Sequence, residues 1–329
     1  MRSINLVAYL VFFVSFTSLT QECYSAVLTR LDSSSPLRQA PLNCTLSLDG
    51  PITPNDSAFF DTLKADDPGI LCLNSEGGSY DAALKIATVA LDIGIATVVP
   101  ESAGCFSACA IIFMAGSTFG EIGTFPSRSL HIRGKIGFHA PYLVETGQRI
   151  DTQTAARAYR AATAALGRLI KIIAESNSLE KSSILPMPLL AEMLVAEPNQ
   201  AYEIDTVGKA IEYKVSLIGL LEPAVISKEM ACTACTNISL DGIHWPCDKS
   251  SRITYNRTNG AEWQETYVSI VLGPEDHNYE CKIIIDHNHK SGNEERYISY
   301  ERLDQSGSMP AWELFPAETK ISKLPSVVR

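Results

Sequence analysis

Short apolar runs alternate with amphipathic runs through the first two thirds of the chain. Brief apolar runs predict strands at residues 45–48, 70–73 and 96–99. Apolar residues at helical spacing predict helices at residues 54–64, 79–93 and 107–114. Because strands and helices alternate, we expect a layered α/β domain in which the strands pair in parallel.

A long helix and a β-rich region follow. Asp151 is placed to cap an Ala-rich helix that runs to about residue 176. After residue 221 the pattern changes to paired cysteines, Asn-Gly and Ser-Gly turns, and β-rich runs such as residues 267–272 and 281–285. We therefore expect a small, disulfide-bonded β-rich domain over residues 222–329.

Residues 1–26 have the order of a secretory signal peptide. Arg2 precedes an apolar run over residues 4–16, and a polar stretch then ends in small residues. The run is short for a bilayer span, which favours cleavage, and no later segment is long and apolar enough to cross a membrane. The sequence thus predicts an exported protein, periplasmic or secreted, without a stable membrane span after cleavage. Residues 27–43, rich in Ser, Pro and Arg, are interpreted as a linker.

The charge balance argues against a nucleic-acid partner. The 329 residues include 27 basic and 37 acidic side chains, which gives a formal net charge of −10. No run of Lys or Arg forms a stripe that would bind phosphates, so we expect no nucleic acid. Hydrophobic residues make up 46% of the chain, which is enough for a sizeable core and for two domains.

The cysteine content indicates disulfide bonds. Of nine cysteines, Cys23 lies in the predicted signal peptide, and the even number that remains is typical of an oxidising compartment. Four lie in each half of the chain: Cys44, Cys72, Cys105, Cys109, Cys232, Cys235, Cys247 and Cys281. Their pairing stays open. The last four could instead hold zinc as thiolates, but the predicted export favours disulfides, so no metal is expected.

Three segments at predicted strand ends contain candidate catalytic residues. Gly77 and Gly78 stand at a strand-to-helix junction, where glycine frees backbone N–H groups to bind a developing oxyanion. Ser107 begins an apolar helix, a position suited to a nucleophile, although capping of the helix is the alternative. His139 ends an apolar strand and follows the other two segments in chain order, so we interpret it as the general base.

The same segments carry a resemblance to a known family. Asn-Ser-x-Gly-Gly (residues 74–78), Cys-x-Ser-Ala-Cys (residues 105–109) and Gly-Phe-His-Ala-Pro (residues 137–141) are similar to the Clp protease proteolytic subunit. They look closer still to exported Clp-like members of the ClpP/crotonase superfamily. The match covers residues 44–221. It implies a ClpP/crotonase-like spiral of β-β-α units, usually assembled into oligomers, so we expect a homo-oligomer.

The resemblance also implies the roles of individual residues. It assigns the nucleophile to Ser107 and the base to His139. The oxyanion hole falls on the loop of Gly77 and Gly78 together with Ala108. Within it, the resemblance assigns the oxyanion-binding N–H groups to Gly78 and Ala108.

Two positions depart from the pattern of that family. Glu76 replaces the proline usual in the glycine loop, and its charge would oppose an oxyanion unless it faces solvent. No aspartate stands where the third triad residue is expected. Asn199 could orient the imidazole there, and Asp205 could serve instead if the loop is shifted. An amide stabilises imidazolium less well than a carboxylate does, so the Asn199 version should be slower.

The two cysteines beside Ser107 have two interpretations. Cys105 is the second choice of nucleophile, because a thiolate attacks readily. A structural role is favoured for Cys105 and Cys109, either in core packing or in bridges to Cys44 or Cys72.

Two histidine-containing segments are interpreted as non-catalytic. His131 lies in a basic segment, residues 128–135, which is predicted to be a surface loop. Residues 286–289, Asp-His-Asn-His, could bind a metal, but a solvated turn is favoured. We therefore expect neither a metal nor another cofactor.

These features favour an exported serine hydrolase, a peptidase that acts on a protein or peptide substrate. The alternative is a Clp-like binding or assembly module with weak or no activity, because no clear aspartate stands behind His139. Acyl-CoA chemistry of the crotonase kind fits poorly, since that cofactor is cytoplasmic and the chain is predicted to be exported.

Overall fold

The computed structural model describes residues 25–64, 69–121, 123–141, 151–177, 185–197, 200–223, 227–238, 252–259, 264–272, 279–286, 297–302 and 305–327. The described strands are β1 (Val27–Arg30), β2 (Leu46–Asp49), β3 (Ile70–Asn74), β4 (Ala96–Val99), β5 (Gly104–Phe106), β6 (Ser117–Gly120), β7 (Gly123–Pro126), β8 (Arg128–His131), β9 (Lys135–Phe138), β10 (Tyr202–Glu203), β11 (Ser216–Ile218), β12 (Arg252–Asn259), β13 (Gln264–Leu272), β14 (Tyr279–Asp286), β15 (Tyr297–Arg302) and β16 (Gln305–Ser308). The described helices are α1 (Ser57–Phe60), α2 (Tyr80–Ile93), α3 (Ala108–Met114), α4 (Thr152–Asn177), α5 (Met187–Val195), α6 (Val207–Glu212) and α7 (Lys228–Ile238), with 3-10 turns at Pro36–Arg38, Ala311–Leu314 and Ile321–Lys323.

A six-stranded sheet forms the centre of the first domain. Its strand order is β1-β2-β3-β4-β8-β11, in which β1 is antiparallel to β2 and the other neighbours are parallel. Leu71 and Leu73 of β3 and Val99 of β4 are fully buried, as expected of strands covered on both faces. The predicted mixed α/β architecture with parallel pairing is confirmed.

After three strands of the first sheet, the chain continues into a second, smaller sheet. Its order is β10-β9-β5, with β5 parallel to β9, and Ser75 adds a parallel bridge to Cys105 on the other side of β5. The chain passes from the first sheet to the second three times: from β3 to residue 75, from β4 to β5, and from β8 to β9. Each passage is followed along the chain by a helix, first α2, then α3, then α4.

Helices α2 and α3 pack against the sheets and bring the glycine loop and the Ser107 turn together. Ser79 caps α2, because its Oγ accepts from Ala82 N at 3.3 Å. Gly94 ends α2 with a φ of 72°, the left-handed conformation common at helix ends. Every residue of α3 is buried, which explains why that helix is apolar on all sides.

The long helix α4 begins where the sequence predicts it. Thr154 N donates to Asp151 Oδ1 at 2.8 Å, so the predicted cap is confirmed. Leu169 and Ile173, four residues apart on α4, are buried in the main core. Across the described residues, no helix combines the length and the apolar composition that a membrane span requires.

The region after residue 222 contains a helix and an antiparallel sheet. Strands β12 to β16 pair in sequence order as antiparallel neighbours. Ala231 and Cys232 of α7 share a buried cluster with Ile283 of β14. Cys232 and Cys235 are both disulfide-bonded, as predicted. The β-rich character of the region is therefore confirmed.

The segment of residues 309–327 returns to the first domain. Trp312, Ile321 and Leu324 belong to the same buried cluster as the core of the α/β domain. Ile321 N donates to Asp205 O at 2.8 Å, which fixes the segment beside the start of α6. Residues 309–327 are predicted to belong to the β-rich domain. They contribute to the core of the first domain.

Three predicted segments differ from the structure. Residues 27–43, interpreted as a linker, include β1, which pairs with β2 and extends the first sheet. Residues 54–64 contain only the short helix α1, which follows a turn in which the Asp56 carboxylate accepts from Thr53 N at 2.6 Å. Residues 128–135, interpreted as a surface loop, form β8, a turn and the start of β9.

The predicted signal peptide lies outside the described residues except for its last two positions. Ser25 Oγ donates to Asp56 Oδ1 at 2.6 Å, and Ala26 is buried. These two residues pack against the first domain, directly before β1.

Arg128 explains why a basic segment lies inside the fold. Its buried guanidinium donates to three carbonyl oxygens, those of Met114 (2.6 Å), Tyr213 (2.8 Å) and Lys214 (3.0 Å). Burial lowers the pKa of the guanidinium to about 9, so the group stays charged at neutral pH. Met114 ends α3 and the other two follow α6, so Arg128 connects the ends of two helices to β8.

We expect Arg128→Met to destabilise the protein by about 3 kcal/mol or more, because three carbonyl groups lose a buried donor at once. Urea unfolding measures the loss. Arg133→Met is the matched control, since Arg133 is exposed and pairs with Glu101 at the surface. Equal stability of the two variants would contradict the clamping role of Arg128.

Glu313 provides a pH-dependent contribution to stability in the segment that returns to the first domain. Asn237 Nδ2 donates to Glu313 O at 2.8 Å, which holds this 3-10 turn against α7. Burial raises the pKa of the Glu313 carboxyl from its usual 4.5 to about 7. The folded protein therefore binds this proton more tightly than the unfolded chain. The stability that the proton contributes is complete below pH 4.5 and is lost as the pH rises through about 7.

Glu313→Gln is expected to raise the free energy of unfolding at about pH 8 by on the order of 2 kcal/mol, because no partly buried carboxyl must ionise. The variant should also flatten the pH dependence between about pH 5 and 8. Thermal unfolding across this range measures both effects. Glu318→Gln is the control, since Glu318 is exposed in the same segment. A profile identical to that of the wild type would refute the contribution of Glu313 to the pH dependence of stability.

Candidate functional site

Ser107 and His139 lie at the same edge of the second sheet. Ser107 directly follows β5 and His139 directly follows β9, and these parallel strands place Phe106 opposite Gly137. Ser107 N donates to Gly137 O at 3.0 Å, which extends the pairing to the candidate nucleophile. The structure thus brings the two predicted residues to neighbouring strand ends.

Ser107 has a backbone conformation that residues other than glycine rarely adopt. Its φ is 56° and its ψ is −121°. Such a conformation costs about 1–3 kcal/mol and is typical of functional sites. Ser107 occupies the N-cap position of α3, yet its side chain makes no capping hydrogen bond. Helix capping therefore does not explain this serine.

Gly77 packs directly against the turn that carries Ser107. Its φ is 101°, a conformation that favours glycine. A Cβ at this position would lie 2.7 Å from Phe106 O, 2.8 Å from Ser107 Cβ and 3.1 Å from Ala108 N. Because close-packed side chains cannot approach so closely, only glycine lets the loop lie beside Ser107.

Two backbone N–H groups, one in the glycine loop and one directly after Ser107, have no acceptor among the described residues. They belong to Gly78 and Ala108, the residues to which the resemblance assigns the oxyanion-binding groups. Gly78 has a φ of 137°, and a Cβ there would lie 2.2 Å from Ile52 O. The close approach of Ile52 holds the backbone of Gly78 in place.

Asn74 and Ser75 support the glycine loop and were not singled out by the sequence analysis. Ser75 Oγ accepts from Gly77 N at 3.1 Å, so the N–H of Gly77 is already used within the loop. Asn74 Oδ1 accepts from Gly104 N at 3.1 Å, and Asn74 Nδ2 donates to Asp49 Oδ1 at 3.1 Å. Asn74 therefore links three strands. The signal available in the sequence was their place in the Asn-Ser-x-Gly-Gly motif of residues 74–78.

The imidazole of His139 is oriented by a backbone carbonyl. Its Nδ1 lies 2.9 Å from Ala140 O. Because a carbonyl oxygen only accepts, this contact requires a proton on Nδ1; in the neutral ring the lone pair that a general base needs is then on Nε2. Among the hydrogen bonds of the described residues, none joins Ser107 to His139. Such catalytic hydrogen bonds are often long in the absence of a substrate.

The pairing of β10 with β9 determines which end of β10 approaches His139. The strands are antiparallel and Tyr202 lies opposite Phe138, the residue before His139. The chain therefore nears the histidine on the N-terminal side of Tyr202. Asn199, predicted to orient the imidazole, lies outside the described residues, so its role stays a prediction.

Asp205 is not brought to His139. In the antiparallel pairing, each residue after Tyr202 lies further from the histidine. The Asp205 carboxylate instead pairs with Lys209 Nζ at 2.9 Å and with Lys320. Burial raises the pKa of the Asp205 carboxyl, but hydrogen bonds from the two lysines outweigh burial and leave the pKa below its usual value. Asp205 therefore joins α6 to the returning segment and does not serve as the third triad residue.

The departure at Glu76 leaves the neighbouring loop undisturbed. Glu76 is exposed, whereas Gly77 beside it is buried against the Ser107 turn. Water and salt therefore screen the Glu76 carboxylate. Because it faces solvent, its charge would not oppose an oxyanion at the glycine loop.

The two cysteines that flank Ser107 form a disulfide with each other. Cys105 and Cys109 are fully buried, with their Cα atoms 5.2 Å apart. The bond removes the thiolate that Cys105 would need as a nucleophile. The suggested bridges to Cys44 or Cys72 are wrong, because those two cysteines pair with each other.

His131 has a structural position within the first sheet. Its Nδ1 accepts from Arg133 N at 3.2 Å. A Cβ on Gly219 would lie 2.1 Å from His131 Nε2, so the ring packs directly against the backbone of the neighbouring strand end. The prediction that His131 is not the base fits this position, although the segment is a strand rather than a loop.

The candidate metal sites are described only in part. Cys232 and Cys235 are disulfide-bonded rather than free thiolates. Cys247 and residues 287–289 lie outside the described residues. In the part of the chain that the structure describes, no three His, Cys, Asp or Glu side chains are grouped to hold a metal ion.

Comparison with known proteins adds no assignment. A scan against models of protein families finds none that matches this chain, and a search of the curated proteins finds no match either. The function must therefore be argued from the residues of the site.

Gly77→Ala is expected to destabilise the protein by about 2 kcal/mol or more, because the added methyl group meets the Ser107 turn at a positive φ. Urea unfolding measures this loss. The matched control is Gly167→Ala in α4, where a Cβ would meet nothing within 4 Å. That variant should be stabilised by about 0.5–1 kcal/mol. Similar behaviour of the two variants would contradict the close packing at Gly77.

Proposed function

We propose that this protein is an exported serine hydrolase of the peptidase type, with Ser107 as the nucleophile and His139 as the general base. The observation that carries the proposal is the strained backbone of Ser107 at the end of a strand parallel to the one that ends before His139. A serine with only a packing role gains nothing from such strain. The nearby N–H groups of Gly78 and Ala108 add the donors that acyl transfer requires.

The chemistry follows the positions of these groups. Ser107 Oγ attacks the acyl carbon of the substrate, and its proton passes to His139 Nε2. The carbonyl oxygen becomes an oxyanion that accepts from Gly78 N and Ala108 N. His139 then protonates the leaving group, and water hydrolyses the acyl-enzyme with His139 again acting as base.

The order of the elements supports a relationship to the ClpP/crotonase superfamily. Three passages from the first sheet to the second, each followed by a helix, have the β-β-α order that the resemblance implies. The glycine loop, the Ser107 turn and His139 each follow one of these passages. Since members of the superfamily usually assemble into oligomers, the proposal includes a homo-oligomer.

The cysteine chemistry supports export. The bonds Cys44–Cys72 and Cys105–Cys109 are closed. Structural disulfides of this kind persist in oxidising compartments. Together with the charged and apolar order of residues 1–26, they support a periplasmic or secreted location and a protein or peptide substrate.

A non-catalytic binding or assembly module is the second candidate function. It is favoured by one observation, the engagement of Asp205 by Lys209 and Lys320 instead of by His139. In that case Ser107 and His139 would remain in place, but the protein would not turn over a substrate. The two functions differ in whether Ser107 reacts.

Reaction of the full mature chain with a fluorophosphonate probe tests the proposal. We expect covalent labelling of Ser107, abolished by Ser107→Ala and slowed about 100-fold or more by His139→Ala, since the base activates the hydroxyl. Intact-mass spectrometry and peptide mapping measure the extent and the site of labelling.

Ser102→Ala is the matched control for this experiment. Ser102 is exposed, lies five residues before Ser107 and also has a positive φ of 61°. Its substitution should leave the labelling rate unchanged. Absence of labelling in the wild type, or labelling that survives Ser107→Ala, would exclude the hydrolase and leave the binding module.

A further inference from the structure

The Cys105–Cys109 disulfide closes a loop of chain whose central residue is Ser107. Cys105 lies in the middle of β5, and Cys109 lies in the first turn of α3. The bond therefore spans the strand, the turn and the helix that together carry the proposed nucleophile.

The two ends of this loop are held in different parts of the fold. Cys105 bridges to Ser75 on one side and pairs with Ile136 of β9 on the other. Cys109 is fully buried in the main core with the rest of α3. A covalent bond between them fixes the separation of β5 and α3 at the point where the chain turns.

Ser107 needs such a constraint because its backbone is strained. Two backbone hydrogen bonds restrain the turn, one from Ser107 N to Gly137 O (3.0 Å) and one from Ala110 N to Ser107 O (3.0 Å). Release of the strain by rotation of Ser107 would move its hydroxyl from its present position and would change the direction of the following N–H group. Catalytic groups must be held to within a fraction of an ångström to react well.

We infer that the Cys105–Cys109 disulfide is a positioning element for Ser107, so that the protein reaches full reactivity only after this pair is oxidised. The inference rests on the proposed hydrolase function. In forming the bond, two thiols lose two protons and two electrons, which reduce one disulfide of a dithiol–disulfide donor to two thiols. A chain whose two cysteines remain reduced would fold with a mobile nucleophile turn, and export into an oxidising compartment would complete the site.

The second described disulfide supplies a matched control. Cys44–Cys72 lies in a separate buried cluster with Val98 and does not adjoin the Ser107 turn. It joins cysteines 28 residues apart, whereas Cys105 and Cys109 are four apart. Because loop-closure entropy grows with loop length, loss of the longer loop should lower the melting temperature more than loss of the shorter one.

The experiment compares the double variants Cys105→Ala/Cys109→Ala and Cys44→Ala/Cys72→Ala with the wild type, at a temperature where all three are folded. The first readout is amide hydrogen exchange of residues 107–110, which does not depend on activity. The second is the fluorophosphonate reaction, resolved into the affinity for the probe and the maximal rate of covalent labelling.

We expect Cys105→Ala/Cys109→Ala to raise exchange of residues 107–110 at least tenfold and to lower the maximal labelling rate at least tenfold, with the probe affinity within about twofold of the wild type. Cys44→Ala/Cys72→Ala should lower the melting temperature further yet keep both readouts at wild-type values. If the first variant does not fold, Cys105→Val/Cys109→Ala replaces it, since valine suits a strand and fills the buried space.

Unchanged exchange of residues 107–110, or equal changes in the two double variants, would overturn the positioning role. A wild type that is not labelled at all would overturn the proposed function instead, and the exchange readout would still decide whether the disulfide restrains the turn.

Discussion

The hydrogen bonds that join residue 75, β5 and β9 side by side determine where the candidate site residues lie. Ser75 N donates to Gly104 O at 2.7 Å, and Phe106 N donates to Ser75 O at 3.0 Å. Parallel strands end at the same edge of a sheet, so whatever follows each strand meets there. A glycine loop, a strained serine and a histidine follow these three segments. A register shift of one residue would separate them.

Much of the fold could be predicted because its signals are local. The strand at residues 96–99 and the capped helix after Asp151 both show their periodicity within a few residues. Strand β5 has only three residues, too few to show a period, and its pairing with distant chain segments defines it. The buried position of Arg128 could not be predicted, because the carbonyl groups that bind its charge come from residues far away in sequence.

The candidate site was predictable to a similar degree. Ser107 and His139 could be chosen from the sequence, because strand ends are recognisable and the two residue types suit the chemistry. The role of Asp205 could not, since only the direction of β10 shows that it lies beyond reach of the histidine. The pairing of Cys105 with Cys109 also depends on the turn between them, which brings two Cα atoms to 5.2 Å.

The return of residues 309–327 to the first domain has a consequence for the order of folding. Trp312 and Leu324 complete a core whose first strands are synthesised nearly three hundred residues earlier. Contacts of such large sequence separation form slowly and late. The α/β domain therefore cannot complete its core until residues 309–327 have been synthesised. Until then, the apolar surface that Trp312 and Leu324 cover in the folded protein remains exposed.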